Sequence, residues 1–238
     1  MATTTPRILK ASLYEDCVPI NYDRERSYHG IPCPESPEHM AAAWREGRLD
    51  VFWERRGPIP QVMWTNMYEL IVSQELHSAL VKKGISGYVT KGATVRQGDR
   101  IREDDYLHML VQGWGGFANP ESGIELLERC PTCNRNRWSS PTHPEKVADP
   151  SQWDGSDLYW IWPQPTIFVS KNCEEVMTSV GLGDWIGAFS IPDWEIGMGY
   201  TMGPIDSRIS RDRALEVAPD WASKVHWPGW DRPDECFA

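Results

Sequence analysis

The residues best suited to chemistry are cysteines. Cys130-Pro131-Thr132-Cys133 is the one C-x-x-C among six cysteines, the others being Cys17, Cys33, Cys173 and Cys236. A tight C-x-x-C turn puts two sulfurs on the same side, where they can bind one zinc ion. A structural zinc needs four ligands, so the pair is half a site. Cys33 would bring a third thiolate, and His29, four residues earlier, a fourth ligand. The expected metal set is therefore Cys33, Cys130, Cys133 and His29 around one structural zinc, with His143 as another candidate for the histidine. Two other readings stand beside it. A redox pair would begin a helix within a βαβ pattern, whereas polar Asn134, Arg135, Asn136 and Arg137 follow here. Alternatively the thiols are buried and idle.

The second set is aromatic and acidic. Trp153 and Trp160 bracket Asp154-Gly155-Ser156-Asp157. Tryptophan is enriched at the energetic centres of protein interfaces, so Trp153, Asp154, Asp157 and Trp160 form a candidate partner-binding set. The competing reading is that the tryptophans pack in the core and the aspartates cap a turn.

Signatures of catalysis are missing. There is no G-x-S-x-G, H-E-x-x-H or P-loop. Gly181-Leu-Gly183-Asp-Trp-Ile-Gly187 and Gly197-Met-Gly199-Tyr-Thr-Met-Gly203 lack the strand–turn–helix setting of a phosphate cradle and read as turns. Asp104-Asp105 and Glu174-Glu175 are sequence neighbours, which diverge on a helix or a strand alike. Cys173 falls on an apolar helix face and reads as core. The expectation is a protein that is not an enzyme.

Elements that would position these residues recur at an offset of 97. Ile71-Val72-Ser73 matches Phe168-Val169-Ser170, Leu80 matches Met177, Gly84-Ile85 matches Gly181-Leu182, and Cys33 matches Cys130. Each copy reads as an apolar strand, a serine N-cap, a short helix, a glycine C-cap and another strand. Cys173, Val176, Met177 and Val180 keep the i, i+3, i+4, i+7 spacing of one helix face. Leu107 to Val111 reads as a strand leading into Gly113-Trp114-Gly115-Gly116, and 139–152 as an exposed loop. The expected fold is α+β, with mainly antiparallel sheets, short helices and an internal duplication of a strand–helix–strand unit. The expected repeat halves are 1–106 and 107–238, the second ending in a Trp- and Pro-rich tail, with one compact unit of both as the alternative.

Composition narrows the partners. The 238 residues carry 34 acidic and 24 basic side chains, a net charge of −10. That disfavours nucleic acid, whose phosphates need a cationic face, and permits a basic protein partner steered by charge. The chain lacks an apolar run long enough for a membrane span. MATTTPRILK has no apolar h-region, so no secretory leader is expected.

Gly113-Trp114-Gly115-Gly116, Glu121-Ser122-Gly123-Ile124, Cys130-Pro-Thr-Cys133, Gln152-Trp153-Asp154-Gly155-Ser156-Asp157-Leu158, Trp162-Pro163 and Phe168-Val169-Ser170 together resemble the double-CxxCG motif proteins. These are bacterial immunity proteins paired with toxins delivered between neighbouring cells. The resemblance is best over 107–190, and His29-Gly30-Ile31-Pro32-Cys33 resembles the start of the first motif. Asn134 stands where the motif has glycine, and Ser36 where it has cysteine. The resemblance implies a cytoplasmic, non-enzymatic protein that neutralises a cognate toxin by binding it. The alternative is a zinc-stabilised structural or adaptor module without a toxin partner.

Overall fold

The structure, a computed structural model, describes residues 6–10, 17–19, 28–31, 41–45, 48–65, 69–129, 136–189 and 216. In chain order the first strands are β1 (Arg7–Leu9), β2 (Cys17–Pro19), β3 (Tyr28–Ile31), β4 (Ala41–Arg45), β5 (Leu49–Trp53), β6 (Val62–Trp64) and β7 (Leu70–Ser73). Helix α1 (Gln74–Lys82) follows, then β8 (Tyr88–Gln97), β9 (Arg100–Val111), β10 (Gly113–Phe117), β11 (Leu126–Arg129) and β12 (Asn136–Trp138). The rest are β13 (Leu158–Trp162), β14 (Gln164–Val169), α2 (Lys171–Ser179) and β15 (Ile186–Ala188).

These strands build a six-stranded sheet in the order β2-β5-β8-β9-β7-β6 and a five-stranded sheet in the order β10-β13-β14-β1-β15. All pairings in both are antiparallel except β5–β8 and β10–β13. The class is α+β and rich in antiparallel strands, as the sequence predicts. Two antiparallel ribbons, β3–β4 and β11–β12, complete the described strands.

Strand pattern follows burial. In β5, Leu49, Val51 and Trp53 are buried while Asp50 and Phe52 are only partly so, the period of two that a strand imposes. β7 is apolar from Leu70 to Val72 because both its faces are covered. Leu70 and Val72 face the cluster that contains the helices, and Ile71 faces the opposite cluster with Val51 and Met63. The main core lies between the sheets, where Leu76 and Leu80 of α1 meet Cys173, Val176 and Met177 of α2. A third cluster, Ile8, Val147, Ile161, Phe168 and Phe189, covers the other side of the five-stranded sheet.

The helices begin and end alike. The Ser73 hydroxyl accepts from Leu76 N at 3.1 Å, and the Ser170 hydroxyl from Cys173 N at 3.1 Å. Each satisfies a backbone donor that the first turn leaves free. Gly84 (φ 68°) and Gly181 (φ 81°) adopt the left-handed conformation that ends a helix. Beyond them, Ile85 N donates to Leu80 O at 3.0 Å and Leu182 N to Met177 O at 2.8 Å. This is the Schellman pattern, with a buried apolar residue after the glycine.

The repeat boundary expected after residue 106 meets β9, which runs unbroken from Arg100 to Val111. Its pairing with β7 and β8 on either side joins residues from both expected halves in one sheet. The 139–152 stretch is not simply an exposed loop. Val147 is fully buried in the third cluster, because the segment lies over a sheet face that would otherwise be wet.

Candidate protein-contact site

Residues 149–157 join the third-cluster covering to β13 and run along β10. Gln152 acts like a strand residue: its Oε1 accepts from Phe117 N at 3.0 Å and its Nε2 donates to Phe117 O at 3.4 Å. Asp154 N donates to Trp114 O at 2.9 Å, and Asp154 Oδ2 accepts from Trp114 N at 2.9 Å. The backbone groups that β10 turns away from β13 thus find partners in this segment. Asp149 holds the entry, accepting from Ser151 N, Ser151 Oγ and Gln152 Nε2. Those hydrogen bonds, that of Gln152 foremost, keep its carboxyl below the usual range.

On this frame Trp153 is 42% exposed. Its indole N–H donates to Ser156 O at 2.9 Å, and its ring lies 5.7 Å from that of Tyr159. The polar edge is therefore satisfied within the loop while much of the ring surface meets solvent. Asp154 is exposed beside it, its Oδ1 accepting from Ser156 N at 2.9 Å. An aromatic ring fixed before a partner arrives loses little freedom on binding.

The other two residues of the expected contact set are placed elsewhere. Trp160 is 7% exposed and its indole N–H donates to Val111 O at 2.9 Å; it belongs to the core and offers no area to a partner. Asp157 is turned into a joint between two segments. Its carboxylate accepts from Ser86 N, Ser86 Oγ, Ser170 Oγ and Asn172 Nδ2. Burial pushes its pKa up, but the bonds from Ser170, Ser86 and Asn172 together outweigh that and leave it lowered. Close by, Gly113 is obligatory, because a Cβ there would lie 2.1 Å from Leu158 O.

Of the expected zinc ligands, His29 lies on β3, while Cys33, Cys130 and Cys133 lie outside the described residues. Segments 32–40 and 130–135, which carry those cysteines, connect the strands of the two ribbons β3–β4 and β11–β12. His143 is exposed, with Nδ1 3.6 Å from Glu145. Among the described residues no group of three or more His, Cys, Asp or Glu is arranged to hold a metal ion. Cys173 is buried, and burial, with the Asp157 charge adding to it, pushes its thiol up to about 12. It is a packed, protonated thiol, as its helix-face position predicts. Glu174, which diverges from its neighbour Glu175 as expected of adjacent residues, is gripped at Oε1 by Arg7 through Nε and Nη2 at 3.0 and 2.7 Å.

Between the helices an apolar gap lined by Leu76, Leu80, Cys173 and Met177 has a volume of only about 10 Å³. That is at the limit for one water and has no polar partner for it. Charge, by contrast, is unevenly spread. Residues 106–129 and 136–189, which include the Trp153 loop, hold ten acidic and four basic side chains. Residues 48–105 are nearly balanced, with nine basic and eight acidic. Among the described residues no helix is long and apolar enough to cross a membrane.

Compared with known proteins, the chain matches no family model and no curated sequence. The Gln152 and Asp149 pins escaped the sequence reading. Asp149-Pro150-Ser151 carries the signal of an Asx-turn, but nothing local shows that Gln152 pairs with residue 117.

Proposed function

We propose that the chain is a non-enzymatic binding protein that neutralises a cognate bacterial toxin in the cytoplasm by direct contact. The observation that carries this reading is the Trp153 loop: a half-exposed indole, its polar edge satisfied internally, held rigidly in the acidic part of the molecule. Trp153 and Asp154 are the contact residues, and the toxin is basic. The motif resemblance to immunity proteins supports the same reading, and nucleic acid does not suit so acidic a face. The test is co-expression with the toxin-like product of a neighbouring gene. Cells carrying the unaltered chain should survive. Cells carrying Trp153→Ala at equal protein level should not, and their survival would remove the loop from the interface.

A second reading is favoured by the ribbons. Cys33 on one side and Cys130 and Cys133 on the other belong to connections between paired antiparallel strands, a usual setting for zinc-binding turns. We propose that these cysteines and His29 hold one structural zinc, which would staple the ribbons whether the protein is an immunity protein or an adaptor. Metal analysis of the purified chain should find one zinc per molecule. Chelation should lower the melting temperature. We further propose that the fold arose by duplication of a strand–helix–strand unit, supported by the offset of 97 and the matching caps at Ser73/Ser170 and Gly84/Gly181.

A further inference from the structure

The two helices sit in matching surroundings. The hairpin β6–β7 leads into α1, and the hairpin β13–β14 leads into α2. The N-cap amides are tied alike: Ser73 N donates to Gln61 O and Ser170 N to Asp157 O, each at 2.8 Å. The strand after α1 is β8 and the strand after α2 is β15. In the first unit the spatial order is β6-β7-β9-β8, with β9 antiparallel to both neighbours. In the second it is β13-β14-β1-β15, with β1 antiparallel to both neighbours. β1 therefore stands where β9 stands.

Local bonds repeat the match. Gln112 N, just past β9, donates to Gly87 O, just before β8, at 2.8 Å. Lys10 N, just past β1, donates to Trp185 O, just before β15, at 2.8 Å. Each first strand also carries a buried tryptophan whose indole N–H crosses to the other unit. Trp64 on β6 donates to Lys10 O at 3.1 Å, and Trp160 on β13 donates to Val111 O at 2.9 Å.

We infer that the two units form a strand-exchanged pair with a reciprocal tryptophan lock. β1 is the second unit's fourth strand, delivered from far upstream in the sequence, and each unit's tryptophan fastens the end of the other unit's fourth strand. Neither unit then opens alone, and the segment that displays Trp153 stays fixed against β10. The inference rests on the proposed duplication and adds to it the exchange and the lock.

Hydrogen exchange on the full chain tests it. Trp64→Phe should speed exchange in residues 7–10 about tenfold, the worth of one buried hydrogen bond. Trp160→Phe should do the same in residues 108–113. Faster exchange confined to the altered residue's own hairpin, 61–73 or 157–170, would overturn the lock. Should either variant fail to fold, the unaltered chain decides. In increasing sub-denaturing guanidinium, residues 7–10 and 107–113 should share one opening transition, and separate early opening of 7–10 would overturn the exchange. The duplication is tested apart from this, by replacing residues 73–85 with the sequence of 170–182. A chimera with one cooperative unfolding transition supports it, and loss of that transition counts against duplication while leaving the lock to its own test.

Discussion

Trp153 and Trp160 stand seven residues apart and differ in what surrounds them. Trp160→Ala removes a buried ring and its hydrogen bond to Val111 O, so it should cost about 3–5 kcal/mol in denaturant unfolding. Trp153→Ala removes a half-exposed ring and should cost only about 1 kcal/mol, while abolishing partner binding. Equal losses would mean that both are core residues. The sequence singled out both but could not separate them, because the carbonyl that buries Trp160 belongs to residue 111. Asp157 gives a pH signature. Its folded pKa lies below the ordinary aspartate value of 3.8, so its contribution is present above that value and is lost as pH falls through the lowered folded value. Asp157→Asn should remove this part of the acid dependence. An unchanged acid limb of the stability curve would show that the four hydrogen bonds do not favour the charged form.

At the scale of elements, both helices were legible because their ends are chemical. Serine hydroxyls start them and left-handed glycines stop them, and those residues have few substitutes. Gly84→Ala and Gly181→Ala should each cost about 1 kcal/mol by forcing a Cβ into positive φ. Ser73→Ala should cost about 1 kcal/mol. Ser170→Ala should cost more, because its hydroxyl also donates to Asp157; similar losses for the two serines would deny that bond a share in stability. Strand partners were less legible. β1 has three residues, too few for a periodic signal, and its neighbours β14 and β15 are more than 150 residues away. The pairing of 149–157 with β10 was hidden for a similar reason, since a glutamine side chain there stands in for backbone.

Across the whole molecule, the antiparallel α+β architecture was legible from apolar runs, short helices and the recurrence at 97 residues. The run of β9 across residue 106 was not, because β9 serves one sheet while leading directly into β10 of the other. The concentration of acidic residues around the Trp153 loop sets the expected binding behaviour. Association with a basic partner should slow steeply as salt rises, with a smaller effect on dissociation. The most direct test of the central claim is co-purification of the unaltered chain and Trp153→Ala side by side from cells of the source organism, with partner stoichiometry and melting temperature measured on the same samples. The account predicts one basic protein at 1:1 with the unaltered chain and none with a Trp153→Ala variant that still melts cooperatively. Retention of that partner by Trp153→Ala, or its absence from both samples, would contradict it.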